Sequence, residues 1–198
     1  MEENEDEIIA NRASYSWGNK TTLECVKERN DISKAIIISR IKNDGGVHLN
    51  TLDKVIKWGF GRKFPLRDTE KALKITRKAF SYLDKGDLQK AIKTLLEIHD
   101  VGIARASKVI GLFDQENLCI YDSRVGNALK FLKHGDEKII LCPPSYTREY
   151  DIVSNKGDWA EQYERLIWTL EVIQDNLNRK GCTFRLADIE MALFMMGK

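Results

Sequence analysis

Histidine, cysteine and proline are all scarce in this chain of 198 residues, with three, four and three of each. His48, His99 and His134 give a histidine-based hydrolase little to build on. Cys25, Cys119, Cys142 and Cys182 form no Cys-x-x-Cys pair and have no companion histidine cluster, so neither a zinc site nor an iron–sulfur cluster is supported. They read as free thiols in a reducing compartment. No apolar run approaches membrane-spanning length, and Glu2, Glu3, Glu5, Asp6 and Glu7 stand where a signal peptide needs basic and then apolar residues. The expectation is a soluble, cytoplasmic protein with no membrane partner. Internal repeats and low-complexity segments are also lacking.

What is present is globular: 42% hydrophobic and 31% charged residues, enough to bury a core in one domain or two closely packed lobes. The formal net charge is only +2, but it is unevenly spread. Lys54, Lys57, Arg62, Lys63, Arg67, Lys71, Lys74, Arg77 and Lys78 face only Asp68 and Glu70 within their stretch. Such a stripe suits either a phosphate backbone or a solvated helix face.

Apolar residues recur with helical period almost throughout, and only Ala35–Ser39 and Lys138–Cys142 hint at strand alternation. An all-α fold follows. Residues 32–42 read as a buried, isoleucine-rich helix, 51–58 as a short one, and 68–83 as a helix opening at Asp68 or Thr69. Leu88, Ala91, Ile92, Leu95 and Leu96 mark another helix after Asp87, and Ile103, Ala106, Val109, Ile110 and Phe113 the next. These two, over about 87–113, form a hairpin. A further helix begins after Asp122, with Val125, Leu129 and Leu132 inward, and stops near His134-Gly135. Pro143-Pro144 to Asp158 reads as a long loop, followed by two amphipathic helices, one from Trp159 to Leu177 and one from Leu186 to Met196.

The hairpin turn is His99-Asp100-Val101-Gly102, and Gly102 lets backbone approach another surface without a side chain in the way. Amides at the start of the following helix, reinforced by its dipole, would bind one phosphate. Taken alone, a glycine turn between apolar helices is more often the mark of an ordinary helical hairpin. Asp122, just ahead of an apolar-periodic segment, reads first as an N-cap.

Residues 95–125 run Leu-Leu-Glu-Ile-His-Asp-Val-Gly-Ile-Ala-Arg-Ala-Ser-Lys-Val-Ile, then a short linker, then Cys-Ile-Tyr-Asp-Ser-Arg-Val. This resembles the helix-hairpin-helix DNA glycosylase superfamily of base-excision repair. There a Leu-x-x-Leu-Pro-Gly-Val-Gly-x-x-Thr-Ala hairpin precedes a Val-Asp-x-x-Val segment carrying the catalytic aspartate. In that match Gly102 is the second hairpin glycine and Asp122 the aspartate, eighteen residues beyond Ala104, which takes the place of the family's Schiff-base lysine. Asp100 replaces the first glycine and His99 the proline. The likeness is close over about thirty residues, is one of helix order over residues 32–94, and fades in the C-terminal third.

The resemblance implies two helical lobes, 32–118 and 1–31 with 119–198, and an active-site cleft between them with Asp122 at the junction. It implies a monofunctional N-glycosylase, because Ala104 removes the lyase amine; Lys108, one helical turn on, is a weaker substitute. His99, Asp100, Val101, Gly102, Ala104, Arg105 and Arg124 would contact double-stranded DNA. Arg40, Lys42 and Asn43 are wedge candidates. Of the aromatics that could stack on a flipped base (Tyr15, Trp17, Trp58, Phe60, Trp159, Tyr163 and Trp168), Trp17 and Trp58 stand out as base-pocket candidates. No metal or cofactor is called for beyond a structural monovalent cation at the hairpin, and the chain is expected to act as a monomer. The alternatives are a non-catalytic hairpin DNA-binding protein and a helical protein-interaction module.

Overall fold

A computed structural model describes residues 2–130, 133–134, 137–138, 140–143 and 156–198. Among these the chain is helical, as the periodicity requires. The helices are α1 (Glu2–Ala13), α2 (Thr22–Lys42), α3 (Leu49–Phe60), α4 (Thr69–Leu83), α5 (Leu88–Leu96), α6 (Ile103–Phe113), α7 (Ser123–Ala128), α8 (Lys156–Arg179) and α9 (Leu186–Met196). Between α7 and α8, the two-residue strands β1 (Lys133–His134) and β2 (Glu137–Lys138) pair antiparallel.

Side-chain caps fix where most of these helices begin. The carboxylates of Asp68, Asp87 and Asp122 accept backbone N–H groups at the starts of α4, α5 and α7, and His48 does the same for α3. Thr21 and Glu24 form a reciprocal capping box at α2. That box moves the start of α2 ten residues ahead of the expected 32. It also corrects the reading of this helix as buried: Ile36 is fully buried, but Ile38 is 51% and Ile41 77% exposed, so only one stripe faces inward. Ala35–Ser39 lies within the same helix and is no strand. The helix after Asp122 stops at Ala128, earlier than expected; Leu129 still packs inward, and Leu132 lies outside the described residues. Of the expected loop from Pro143 to Asp158, residues 144–155 are likewise outside them, and α8 already begins at Lys156.

One apolar cluster runs from Ile8 on α1 through Ile36, Leu52, Phe80, Leu95 and Val109 to Leu166 and Leu193. It draws on residues from both expected lobes, and the expected boundary at 31/32 falls inside α2. A smaller cluster of Tyr15, Cys25, Ala187 and Met191 seals the side where α2 and α9 meet the segment after α1.

The acidic N-terminus forms a helix of its own. α1 lies along α9 with Ile8 buried, Glu5 pairs with Lys180, and Arg12 reaches Asp188 at 2.7 Å. Burial would raise the Asp188 carboxyl, but hydrogen bonds from Arg185 and Arg12 outweigh it and hold it below the ordinary aspartate value.

The connector from α6 to α7 sets the position of Asp122. Leu118, Cys119, Ile120 and Tyr121 are all buried in succession, so its polar backbone needs internal partners. The Tyr121 N–H donates to Ser107 Oγ at 2.9 Å, the Tyr163 hydroxyl to the Cys119 carbonyl at 2.8 Å, and Leu186 and Ala187 N–H to the carbonyls of Glu116 and Gln115. Gly111 permits this close passage, since a Cβ there would stand 2.3 Å from the Cys119 carbonyl oxygen.

Candidate active site

Asp122 ends this pinned connector and caps α7. Its Oδ1 accepts the N–H groups of Arg124 and Val125 at 3.1 and 3.2 Å. Its Oδ2 lies 3.5 Å from Lys108 Nζ, which comes across from the hairpin's second helix. The Lys108 side chain is 5% exposed and its ammonium sits 4.7 Å from the Phe60 ring centre. Gly59 makes the room: a Cβ there would fall 2.3 Å from Lys108 Cε.

Asp122 and Lys108 line a recess with about 50 Å³ of free volume, together with Tyr15, Trp17, Arg29, Trp58, Gly59, Ile120, Glu190 and Phe194. These residues arrive from the segment after α1, from α2, α3, α6, α9 and the connector. The space suits a few waters, well short of the roughly 300–1,000 Å³ typical of ligand pockets. Trp17 and Trp58 meet edge to face with ring centres 5.3 Å apart.

A second, wholly buried ion pair forms the far wall. Arg29 Nη2 donates to Glu190 Oε2 at 2.6 Å, Nη1 to the Tyr15 hydroxyl at 3.5 Å and Nε to Gln115 at 3.4 Å. Burial alone would lower the Arg29 pKa, but Glu190 and Tyr15 outweigh it and leave the guanidinium charged above its ordinary value. Burial pushes Tyr15, Cys119, Tyr121 and Tyr163 up, so all four are neutral and protonated at pH 7. Cys119, beside the pocket, is therefore no thiolate nucleophile.

The structure thus brings the separately named candidates Asp122, Trp17 and Trp58 to one recess and adds Lys108, which the sequence ranked low. It does not bring Arg40, Lys42 or Asn43 to the recess. Arg40 stacks on Phe80 and Phe113, 4.3 and 4.5 Å from their centres, and pairs with Asp84 at 2.8 Å. Asn43 caps the end of α2 and Lys42 is exposed beside it. Phe60 lies beside the recess against Lys108, whereas Trp159, Tyr163 and Trp168 are on α8. Arg29 and Glu190 were missed. A glutamate inside the apolar run of residues 186–194 is the signal that could have found them, because such an acid needs a buried cation.

At the hairpin, Asp100 takes the left-handed conformation with φ +62° and so does a glycine's work. Gly102 is extended and starts α6 with no side-chain cap. Arg105 donates to the Asp100 carbonyl, and His99 Nδ1 sits 3.1 Å from Asp100 Oδ2 in solvent. The Val101 side chain points into the core, leaving only its backbone for contact. Arg124 lies on the surface with its guanidinium 4.5 Å from the Phe194 ring centre. All nine basic residues of the 54–78 stripe are exposed, and Lys57 and Arg62 flank the pocket residues Trp58 and Gly59.

No protein-family model matches the chain, and comparisons with curated proteins and with solved structures return no match either. Among the described residues no helix is long and apolar enough to cross a membrane.

Proposed function

We propose that the protein is a DNA N-glycosylase acting as a monomer on double-stranded DNA, excising a damaged or modified base that is flipped into the Asp122 recess. The observation that carries this reading is the placement of the Asp122 carboxylate on the wall of an aromatic-lined recess, one connector after a hairpin whose second helix starts with amides not capped by any side chain. The recess draws its lining from both 32–118 and the flanking segments.

In the mechanism, the N–H groups opening α6 and the exposed Arg124 and 54–78 basic residues hold phosphates without reading bases. The extruded base enters between aromatic walls. Because the free volume now suits only a few waters, entry needs a wall to move; Trp17, on the irregular segment between α1 and α2, is placed to do so. As the glycosidic bond breaks, the sugar takes on positive charge, which Asp122 stabilises while orienting the attacking water. With Ala104 at the position of the family's lysine, water is the nucleophile for this step.

Asp122→Asn tests the reading. Asparagine still caps α7 and its amide oxygen can still accept from Lys108, so DNA affinity per folded protein should hold while excision falls by about 10²–10³-fold, the usual cost of removing one electrostatic stabiliser. Excision undiminished in this variant would end the assigned role. A second reading, a DNA-binding protein without catalysis, is favoured by one fact: capping and the Lys108 pair already account for the carboxylate. Tight, salt-sensitive duplex binding with no excision of any base would select it.

A further inference from the structure

Three of the four tryptophans have a place in the packing: Trp17 and Trp58 meet at the recess, and Trp159 lies edge to face with Tyr121 at 6.1 Å. Trp168 does not. It stands 63% exposed on α8, and Val172, one turn further along the same face, is 44% exposed. Glu164, Glu171 and Asp175 stand four positions before Trp168 and three and seven after it, spacings that share its face, and all three are exposed. The arginines beside them are already engaged. Arg165 pairs with Glu161 at 2.6 Å, and Arg179 donates to Asn176 and to the Asp175 carbonyl. Glu164 accepts from Gln89 at 2.7 Å, whereas among the described residues no cation comes within ion-pair distance of the Glu171 or Asp175 carboxylate. An open indole therefore lies beside two uncommitted negative charges.

We propose that this face of α8 is a docking surface for an arginine- and lysine-rich segment of a partner protein, with Trp168 as its anchor. Charge complementarity names the occupant. A guanidinium or ammonium is drawn to the face of an indole and gains again from carboxylates at its rim, whereas a phosphate backbone or an anionic lipid surface would meet like charge. The aliphatic stems of the same cationic side chains can lie over Val172 and the indole edge. Tryptophan is also among the residue types that most often dominate the energy of a protein interface. The recess takes none of its lining from α8, so this surface stands apart from base excision and from the Asp122 chemistry.

The test titrates the full chain with a fluorescein-labelled peptide of arginine repeats in a glycine–serine frame, and with the same peptide carrying glutamine in place of arginine. Binding is read by anisotropy and by the indole N–H cross-peaks in NMR, with the Trp168 peak assigned from Trp168→Phe. The arginine peptide should bind and move the Trp168 peak while those of Trp17, Trp58 and Trp159 stay in place, and the glutamine peptide should do neither. Trp168→Ala should weaken binding by about two- to fivefold, the worth of one exposed cation–π contact, and Glu171→Gln with Asp175→Asn by a similar factor. These side chains are exposed, so the variants should keep the fold, which circular dichroism checks. An arginine-peptide affinity unchanged in Trp168→Ala, or a Trp168 peak that does not move, shows attraction by net charge alone and overturns the proposal. Loss of duplex DNA affinity in Trp168→Ala would assign the face to nucleic acid instead. Self-association of the wild-type chain in sedimentation, abolished by the same variant, would assign it to a second copy. Either result overturns the proposal, and neither depends on whether a base is excised.

Discussion

At the tip of the α5–α6 hairpin, His99 and Asp100 stand 94% and 67% exposed and meet each other across 3.1 Å of solvent-facing space. Arg29 and Glu190, in the wall of the recess, are 0% and 2% exposed and meet at 2.6 Å. Two side-chain contacts of similar length therefore obey different physics. The exposed pair is screened by water and is close to dispensable for stability. The buried pair has lost its hydration, so each partner depends on the other and removing one strands a charge. The tip is free to meet a ligand from solvent, whereas the recess is held by the fold before any ligand arrives.

The largest effect should come from breaking the buried pair alone. Arg29→Met should destabilise the protein by about 3–5 kcal/mol in urea denaturation, the cost of an uncompensated interior carboxylate. A loss no greater than that of a surface substitution would remove the contrast between wall and tip. Two glycines sharpen it further. Gly111→Ala forces a Cβ against the Cys119 backbone and should cost about 1–3 kcal/mol of stability. Gly59→Ala meets only the far end of the Lys108 side chain, so it should cost less stability than Gly111→Ala while displacing Lys108 from Asp122 and altering excision kinetics.

A smaller effect depends on pH. Because the folded Asp188 carboxyl is held below its unfolded value of about 3.9, its stabilising contribution is present in full above that pH. It is lost as pH falls through the lowered folded value. Acid unfolding of Asp188→Asn should therefore differ from wild type near neutrality and converge with it in strong acid. The smallest effect belongs to the tip, where His99→Ala should shift stability by less than about 0.5 kcal/mol.

What could be read from the sequence was local. Asp68, Asp87 and Asp122 announce helix starts within three residues of themselves, and the all-helical class, the hairpin and the last two helices follow from apolar periodicity. Local signals also erred by omission: Thr21-x-x-Glu24 was legible as a capping box and would have lengthened α2. The recess was legible only in part. Trp17, Trp58 and Asp122 were named as separate candidates, yet nothing in their spacing puts them on one cavity. Arg29 and Glu190 lie 161 positions apart, and their pairing is set by how α9 lies against α2. The meeting of Lys108 with Asp122 could not be read from the sequence, because its reach depends on a glycine of another helix, Gly59. Arg40 was assigned by helix order to a wedge, and tertiary packing instead engages it with Phe80, Phe113 and Asp84.

The contact between α1 and α9, with Arg12 and Asp188 joined across 176 positions, has a consequence for how the molecule comes into being. During synthesis the α4–α5–α6 region can gather its own short-range contacts early, while Tyr15 and Trp17 wait for Glu190 and Phe194 to emerge. Contacts so distant along the chain are slow to form and form late. The hairpin can thus form on a nascent chain that has no recess, and a nick or truncation between α8 and α9 would remove the Glu190 and Phe194 wall while leaving the hairpin segment in place.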